Sequence, residues 1–464
     1  MTIATFITGM LTLVMIIFLV INSFHALLLM LSVPELWSGW QSGDDEYFGA
    51  LVGPEALPPI SVIGVVQRAY AEPVPFARML LDLDYPRFEV VLVADGATDG
   101  SIAALTDALE LYEVPPAFTI NIRTLPVRAY YRSRVHPRLL VLDKPGSSIG
   151  DALNAAVNAA RYPHTIAAAP NVIFDRDALL HLSRPLLLDR AAVCVGSVLR
   201  PSNGATLTDG RMRPGPVHGW LFGCQSVEYL RSFLFQRLGW NRVASNVVFP
   251  GNAVLYRREH LLGLGGFDTV EERPGIDLAV RLPIFLTDAG VAATMPVIAH
   301  PVAWMALPSG IASVGHTRQR WLRNLRHALA ANAAVFGNPE YGTFGLIAVP
   351  YYWLVVIFSP ILEIAGYAGL LTGFCLGVIT GSFVMAYLAA VVGYGILLSV
   401  WTVVFAATSF RSSYPARDVI RLLGFAVVEG FGYRQILALY RTAAFFLDRQ
   451  PTRTNGQSST SGAA

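Results

Sequence analysis

The hydrophobic pattern of this chain changes character twice. Residues 5–33 (TFITGMLTLVMIIFLVINSFHALLLMLSV) carry no Asp, Glu, Lys or Arg. The run exceeds the roughly 20 apolar residues that cross a bilayer as a helix. It lacks the basic start and small-residue cleavage site of a signal peptide, so a membrane anchor is predicted over 1–34. A polar linker follows over 35–59. From 60 to 335 short β-rich runs alternate with helical patterns. ISVIGVVQRAY and FEVVLVADGATDGS read as strand then loop, SIAALTDALELY and GDALNAAVNAARY as helices, HTIAAA and AAVCVGSVL as strands. That alternation predicts an α/β domain with a mostly parallel sheet and helices on both faces. Ligands of such sheets bind beyond the carboxyl ends of the strands. The turns after residues 66, 93, 143 and 168 are therefore the places to look for chemistry.

Residues 343–409 are apolar again, with two or more stretches long enough to cross. Arg411, Arg417, Arg421, Arg434 and Arg441 follow, with few acids among them. The positive-inside rule puts this tail in the cytoplasm. Two C-terminal spans then put 60–335 there too, with the N-terminus outside. RQILALYRTAAFFLDRQ suits a helix lying in the membrane interface, within a cytoplasmic segment 410–450. PTRTNGQSSTSGAA, 451–464, reads as a disordered tail. Glu363 lies inside a predicted span, where a carboxylate is either functional or a protein-facing structural group.

Composition sharpens the picture. The chain is 54% hydrophobic and 14% charged, with a mean hydropathy of +0.49. That is an integral membrane protein rather than a soluble enzyme. A net charge of +2 gives no argument for nucleic acid. Lys144 is the only lysine. Cys194, Cys224 and Cys375 have neither zinc-ligand spacing nor an even count, and read as small buried residues.

RAYAEP, LDLDYPRFEVVLVADGATDGS, VLDKPGSSIGDALNAAVNAA, FPGNAVLYRREHLLGLGGFD, TRQRW and FGYRQ occur in this order. Together they resemble the membrane-bound family 2 glycosyltransferases, with poly-N-acetylglucosamine synthase and hyaluronan synthase as the nearest type. The resemblance implies a GT-A, Rossmann-like nucleotide-sugar-binding domain in the cytoplasm, flanked by transmembrane helices of a bacterial inner membrane. It also implies inverting transfer from a nucleotide sugar, usually UDP-linked, to a growing glycan. Such chemistry needs a divalent cation for the departing diphosphate and a base for the acceptor hydroxyl.

The family motifs are eroded where that chemistry would sit. The first loop keeps Tyr70 and Glu72. The second keeps Asp95 of an acidic pair, with Asp99 as an alternative helix cap. In the third, Lys144 begins the segment and Asp151 and Asn154 end it, but Ile149 stands at a phosphate lysine. These matches make Tyr70, Glu72, Asp95 and Lys144 the nucleotide-binding candidates. The metal motif falls on Ala169-Pro170-Asn171, which offers no carboxylate. A literal Asp175-Arg176-Asp177 nearby reads as a helix cap. The catalytic base position falls on Pro274-Gly275, and Glu272 of the Glu271-Glu272 pair is the rescue candidate. The acceptor motif keeps Arg320 and Trp321 and loses its Gln to Thr317; the same stretch also reads as a basic amphipathic helix at the membrane surface.

Two main readings follow. In the first, the chain is a homologue impaired as a transferase, an accessory subunit of polysaccharide synthesis beside an active synthase partner, still able to hold a nucleotide or glycan and in contact with membrane lipid. In the second, it is active through a rearranged site, with or without a metal, using Glu272, Asp95 and Arg320. No metal is expected in the first; Mg²⁺ or Mn²⁺ enters only in the second. A weaker third reading is transport or assembly through the membrane part, with Glu363 facing a polar path.

Overall fold

The computed structural model describes residues 3–41, 52–67, 72–96, 100–208, 211–243, 253–271, 273–409 and 414–446. Its centre is a ten-stranded sheet with the order β3-β4-β5-β2-β1-β6-β11-β8-β12-β7. The parallel heart is β1 (Ile60–Gln67), β2 (Phe88–Asp95), β5 (Leu139–Lys144) and β6 (His164–Ala168). Every residue of β1 and β2 except Gln67 is buried. Strands covered on both faces have to be apolar throughout, which is why VVLVA shows no alternation.

The sheet is mixed rather than mostly parallel. β3 (Leu111–Glu113) and β4 (Ala129–Ser133) add antiparallel to the β5 edge. Beyond β6, β11 (Val254–Arg257) runs antiparallel to both β6 and β8 (Cys194–Pro201). β12 (Val297–Met305) is parallel to β8, and β7 (Val172–Phe174) closes that edge antiparallel. A separate hairpin joins β9 (Thr206–Thr208) to β10 (Arg211–Arg213).

Helices cover both faces. α1 (Ile3–Gln41) precedes the sheet; α2 (Pro73–Leu81), α3 (Ser101–Leu109), α4 (Ile149–Ala159) and α5 (Ala178–Leu188) follow strands. α6 (Trp220–Phe233) packs against α11 (Tyr394–Ser409), α7 (Pro274–Asp288) and α8 (Ile311–Ala331) pack against each other, and α9 (Ser359–Cys375) and α10 (Gly381–Leu388) complete the apolar helices. α12 (Ala416–Val428) and α13 (Tyr433–Phe446) end the described chain.

Three helical segments among the described residues are long and apolar enough to cross a membrane: Ala4–Trp37, Phe344–Cys375 and Gly381–Thr408. α12 and α13 pass the same test only as a pair, bent by 57°. The sheet domain and the membrane helices are joined by close packing. A Cβ at Gly239 would lie 2.3 Å from the Leu28 carbonyl oxygen of α1, so only glycine admits that approach. The adjoining Trp240 is fully buried and packs against Phe24, Tyr351 and Tyr352.

Candidate functional site

The carboxyl edge of the sheet begins with one register row. Gln67, Asp95 and Lys144 are Cα partners across β1, β2 and β5. The sequence-predicted turns at 66, 93, 143 and 168 coincide within two residues with the ends of β1, β2, β5 and β6. Asp95 is 3% exposed. Its Oδ2 accepts from Gln67 Nε2 at 2.9 Å and from the Ser147 amide at 3.0 Å, and its Oδ1 accepts from Ser147 Oγ at 2.9 Å. The carboxylate thus pins the β5–α4 turn to β1. Gly96 and Gly146 meet beside it, both with positive φ, and a Cβ on Gly96 would touch the Gly146 Cα at 3.4 Å.

Lys144 is completely buried. Its Nζ lies 2.7 Å from Asp151 Oδ2 and donates to the Leu125 carbonyl at 2.8 Å. The one lysine of the chain is an internal ion pair whose ammonium is already shared between a carboxylate and a carbonyl.

Helix α4 explains the other retained residues of that motif. Ser148 caps it by accepting from the Asp151 amide. Asp151 Oδ1 then accepts from Leu125 N at 3.0 Å. Asn154 clamps Phe267, accepting from its N–H at 2.7 Å and donating to its carbonyl at 2.9 Å. Asn158 does the same for Ile122. These positions, at i, i+3 and i+7, fall on one helix face. They organise the loop before β4 and the Gly265-Gly266-Phe267-Asp268 turn. Gly150 is required by the same packing, because a Cβ there would lie 1.8 Å from the Asp268 carbonyl oxygen.

Ala169-Pro170-Asn171 forms the turn from β6 to β7, with Asn171 exposed. These residues do not fit a divalent cation: two carry no side-chain donor, and the third offers a neutral amide. Among the described residues no group of three or more His, Cys, Asp or Glu side chains is placed to hold a metal.

The capping expectation for Asp175 and Asp177 needs correction. Asp177 stands at the N-cap of α5 but makes no side-chain cap bond, and pairs with His181 at 3.4 Å. Asp175 is buried, accepting from Met212 N at 2.9 Å and from Trp304 Nε1 at 3.1 Å. Burial pushes its pKa up, opposed by those hydrogen bonds. It fastens β10 and β12 to the start of α5.

Among the other candidates, Tyr70 and Glu272 lie outside the described residues. Glu72 is exposed at the N-cap of α2 without a cap bond. On α8, Arg320 is exposed and Trp321 packs half-buried against the core. The neighbours of Glu272 both meet α8. Glu271 lies 3.5 Å from His327, and Asn324, with its amide oxygen toward the loop, accepts from Arg273 N at 3.2 Å.

Sequence reasoning missed the polar network beneath α8. Glu228 of α6 is 8% exposed. It receives Arg318 at 2.9 Å, Tyr433 Oη at 2.6 Å and Arg441 at 3.5 Å. Burial alone would raise its pKa; Arg318, Arg441 and the Tyr433 hydroxyl outweigh that and hold it at about 2. Glu429 is wholly buried and paired with Arg231 and, at 2.6 Å, with Arg434, while Ser399 of α11 donates to it at 2.7 Å. The arginines of TRQRW and FGYRQ carried the signal. Glu228, the partner of Arg318 and Arg441, lies far away in sequence, and although Glu429 is only five residues before Arg434, its pairing with Arg231 is long-range.

No family model matches this sequence, and no curated protein matches it. Among solved structures it is similar to a mannosyltransferase from Pyrobaculum calidifontis, determined in complex with GDP-Man and Mn²⁺. That match has a TM-score of 0.52 and 18% identity, covering 89% of this chain and 99% of that chain. At that identity it shows the fold: mixed α/β, with a large central sheet.

Proposed function

We propose that this chain is a membrane-anchored, glycosyltransferase-fold protein of exopolysaccharide or cell-envelope glycan synthesis, belonging with the family 2, GT-A enzymes it resembles. Its transfer chemistry is lost, and it acts as an accessory subunit beside an active synthase. The observation that carries this reading is the state of the donor edge. Asp95, Lys144, Asp151 and Asn154, the retained polar residues of the second and third motifs, are all engaged by partners inside the protein. The turn that would hold a cation offers no carboxylate. A departing diphosphate would then meet neither a metal nor a free lysine, and loss of a general base alone costs on the order of 10²–10⁴ in rate.

The placement of the tail supports a cytoplasmic sheet domain. Residues after the last span touch that domain directly: Asp418 accepts from Val217 N at 3.4 Å, and Arg441 pairs with Glu228. In this reading tail and domain share one side of the membrane, and the arginine excess supports the cytoplasmic side of a bacterial inner membrane.

A second reading, an active transferase with a rearranged site, draws on Glu271 and Arg273 meeting α8 on either side of Glu272. One experiment separates the two. The detergent-purified protein is incubated with a panel of UDP- and GDP-sugars and Mn²⁺ or Mg²⁺, and release of free nucleotide is measured. The accessory reading expects no turnover and retained nucleotide or glycan binding. Turnover that disappears in Glu272→Gln would replace it with the active reading.

A further inference from the structure

The opposite end of the sheet carries a cleft that the donor site does not use. It lies where β6 begins and β11 ends, roughly 17 Å from the Ala169–Asn171 turn at about 3.3 Å per strand residue. The cavity holds about 350 Å³ and is lined by Arg161, Tyr162, His164, Arg257, Arg258 and Glu259.

Its charges are unevenly matched. Arg161 pairs with the buried Glu89 at 2.6 Å, which also accepts the Arg161 amide and Ser61 Oγ. Arg257 donates to the carbonyls of Ala192 and Arg190, at 2.7 and 3.2 Å. Arg258 donates to those of Val157 and Asn158, at the end of α4, at 2.8 and 3.3 Å. Main-chain carbonyls fix these two guanidiniums without neutralising them. A guanidinium has five N–H donors, so each keeps donors for a ligand. Glu259 is the one acid on the rim, and its side chain is 71% exposed.

A second observation concerns His164. The residue is 8% exposed, and its Nδ1 is buried without a hydrogen-bond partner. Burial and the Arg257 charge depress its pKa, which favours the neutral ring. An orphaned buried ring nitrogen of this kind calls for a hydrogen-bonding partner.

We propose that this cleft binds a small phosphorylated ligand with a neighbouring hydroxyl, of hexose-phosphate size. The phosphate sits on Arg257 and Arg258, and the hydroxyl, which can donate or accept, hydrogen-bonds to Nδ1 of His164. Guanidinium recognises phosphate through parallel charge-assisted bonds. Ligand pockets run from about 300 to 1,000 Å³, so this volume suits a sugar phosphate. The cleft lies at the opposite end of the sheet from the donor edge, so the site stands whether or not the chain transfers sugar.

The test uses the full-length protein in detergent, hydrogen–deuterium exchange, and glucose 6-phosphate as probe, with inorganic phosphate beside it. Glucose 6-phosphate should slow exchange in segments 161–164 and 257–262, and excess UDP should leave that protection in place. Arg257→Gln should weaken the probe roughly tenfold, the loss of one charge-assisted contact. Glu259→Gln, an exposed change that leaves the packing intact, should tighten it. Absence of protection there, equal protection in wild type and both variants, or displacement by UDP would overturn the proposal. Equal affinity for inorganic phosphate would overturn the hydroxyl contact to His164.

Discussion

Glu228→Gln isolates the energy of the network that ties the sheet domain to the tail. The carboxylate is buried, with Arg318, Arg441 and Tyr433 around it. Arg318 and Arg441 hold its pKa at about 2, below the 4.5 of an ordinary glutamate. At 1.36 kcal/mol per unit, that shift corresponds to about 3 kcal/mol. The independent expectation for breaking a buried ion pair is about 3–5 kcal/mol, because the surviving arginine is left uncompensated. The two figures agree in scale. For a cooperative unit of roughly 275 residues, ~3 kcal/mol lowers the melting midpoint by about 5 °C. The sign with pH is definite. A folded pKa below the unfolded one gives stability that is complete above the unfolded value of 4.5 and disappears as pH falls toward 2. The assay is the melting midpoint in detergent of wild type and Glu228→Gln, followed by intrinsic fluorescence at stepped pH. The difference between them should be largest at neutral pH and shrink below about pH 4.5. A variant melting with wild type at neutral pH, or a difference that does not change on acidification, would refute the reasoning.

Other outcomes follow from the same geometry. Lys144→Met should destabilise by about 3–5 kcal/mol through the stranded Asp151, and adding Asp151→Leu should recover much of that loss in denaturant melts. Gly150→Ala, whose Cβ would lie 1.8 Å from the Asp268 carbonyl oxygen, should cost at least about 1–3 kcal/mol and accelerate hydrogen exchange around Phe267. Asn154→Ala strands the N–H and carbonyl of Phe267, at about 1–3 kcal/mol for each unsatisfied group, and should show the same local exchange signature. Trp304→Phe removes the indole donor from the buried Asp175 and should lower the melting midpoint by a few degrees.

Local pattern made the parallel heart of the sheet legible. A strand followed by a helix leaves its mark in consecutive residues, so the turns after 66, 93, 143 and 168 were found close to the true strand ends. The antiparallel members were not, because β11 pairs with β6 and β8 across long stretches of chain and the short β3–β4 hairpin has no clear alternation. The same division runs through the candidate site. The chain alone revealed that Ala169-Pro170-Asn171 carries no carboxylate, since missing chemistry is visible in residue identity. It could not reveal that Asp95 is held by Gln67 and Ser147, or that Lys144 is buried against Asp151. Those facts depend on which side chains meet in the fold. Membrane segments belong with what sequence determines, because a bilayer demands a long apolar run whatever its neighbours. The Glu228 and Glu429 networks and the cleft around His164 belong to tertiary structure alone. A buried charge or an orphaned nitrogen is defined by the partners packed around it, and here most of those partners, such as Arg318 for Glu228 and Arg231 for Glu429, come from segments distant along the chain.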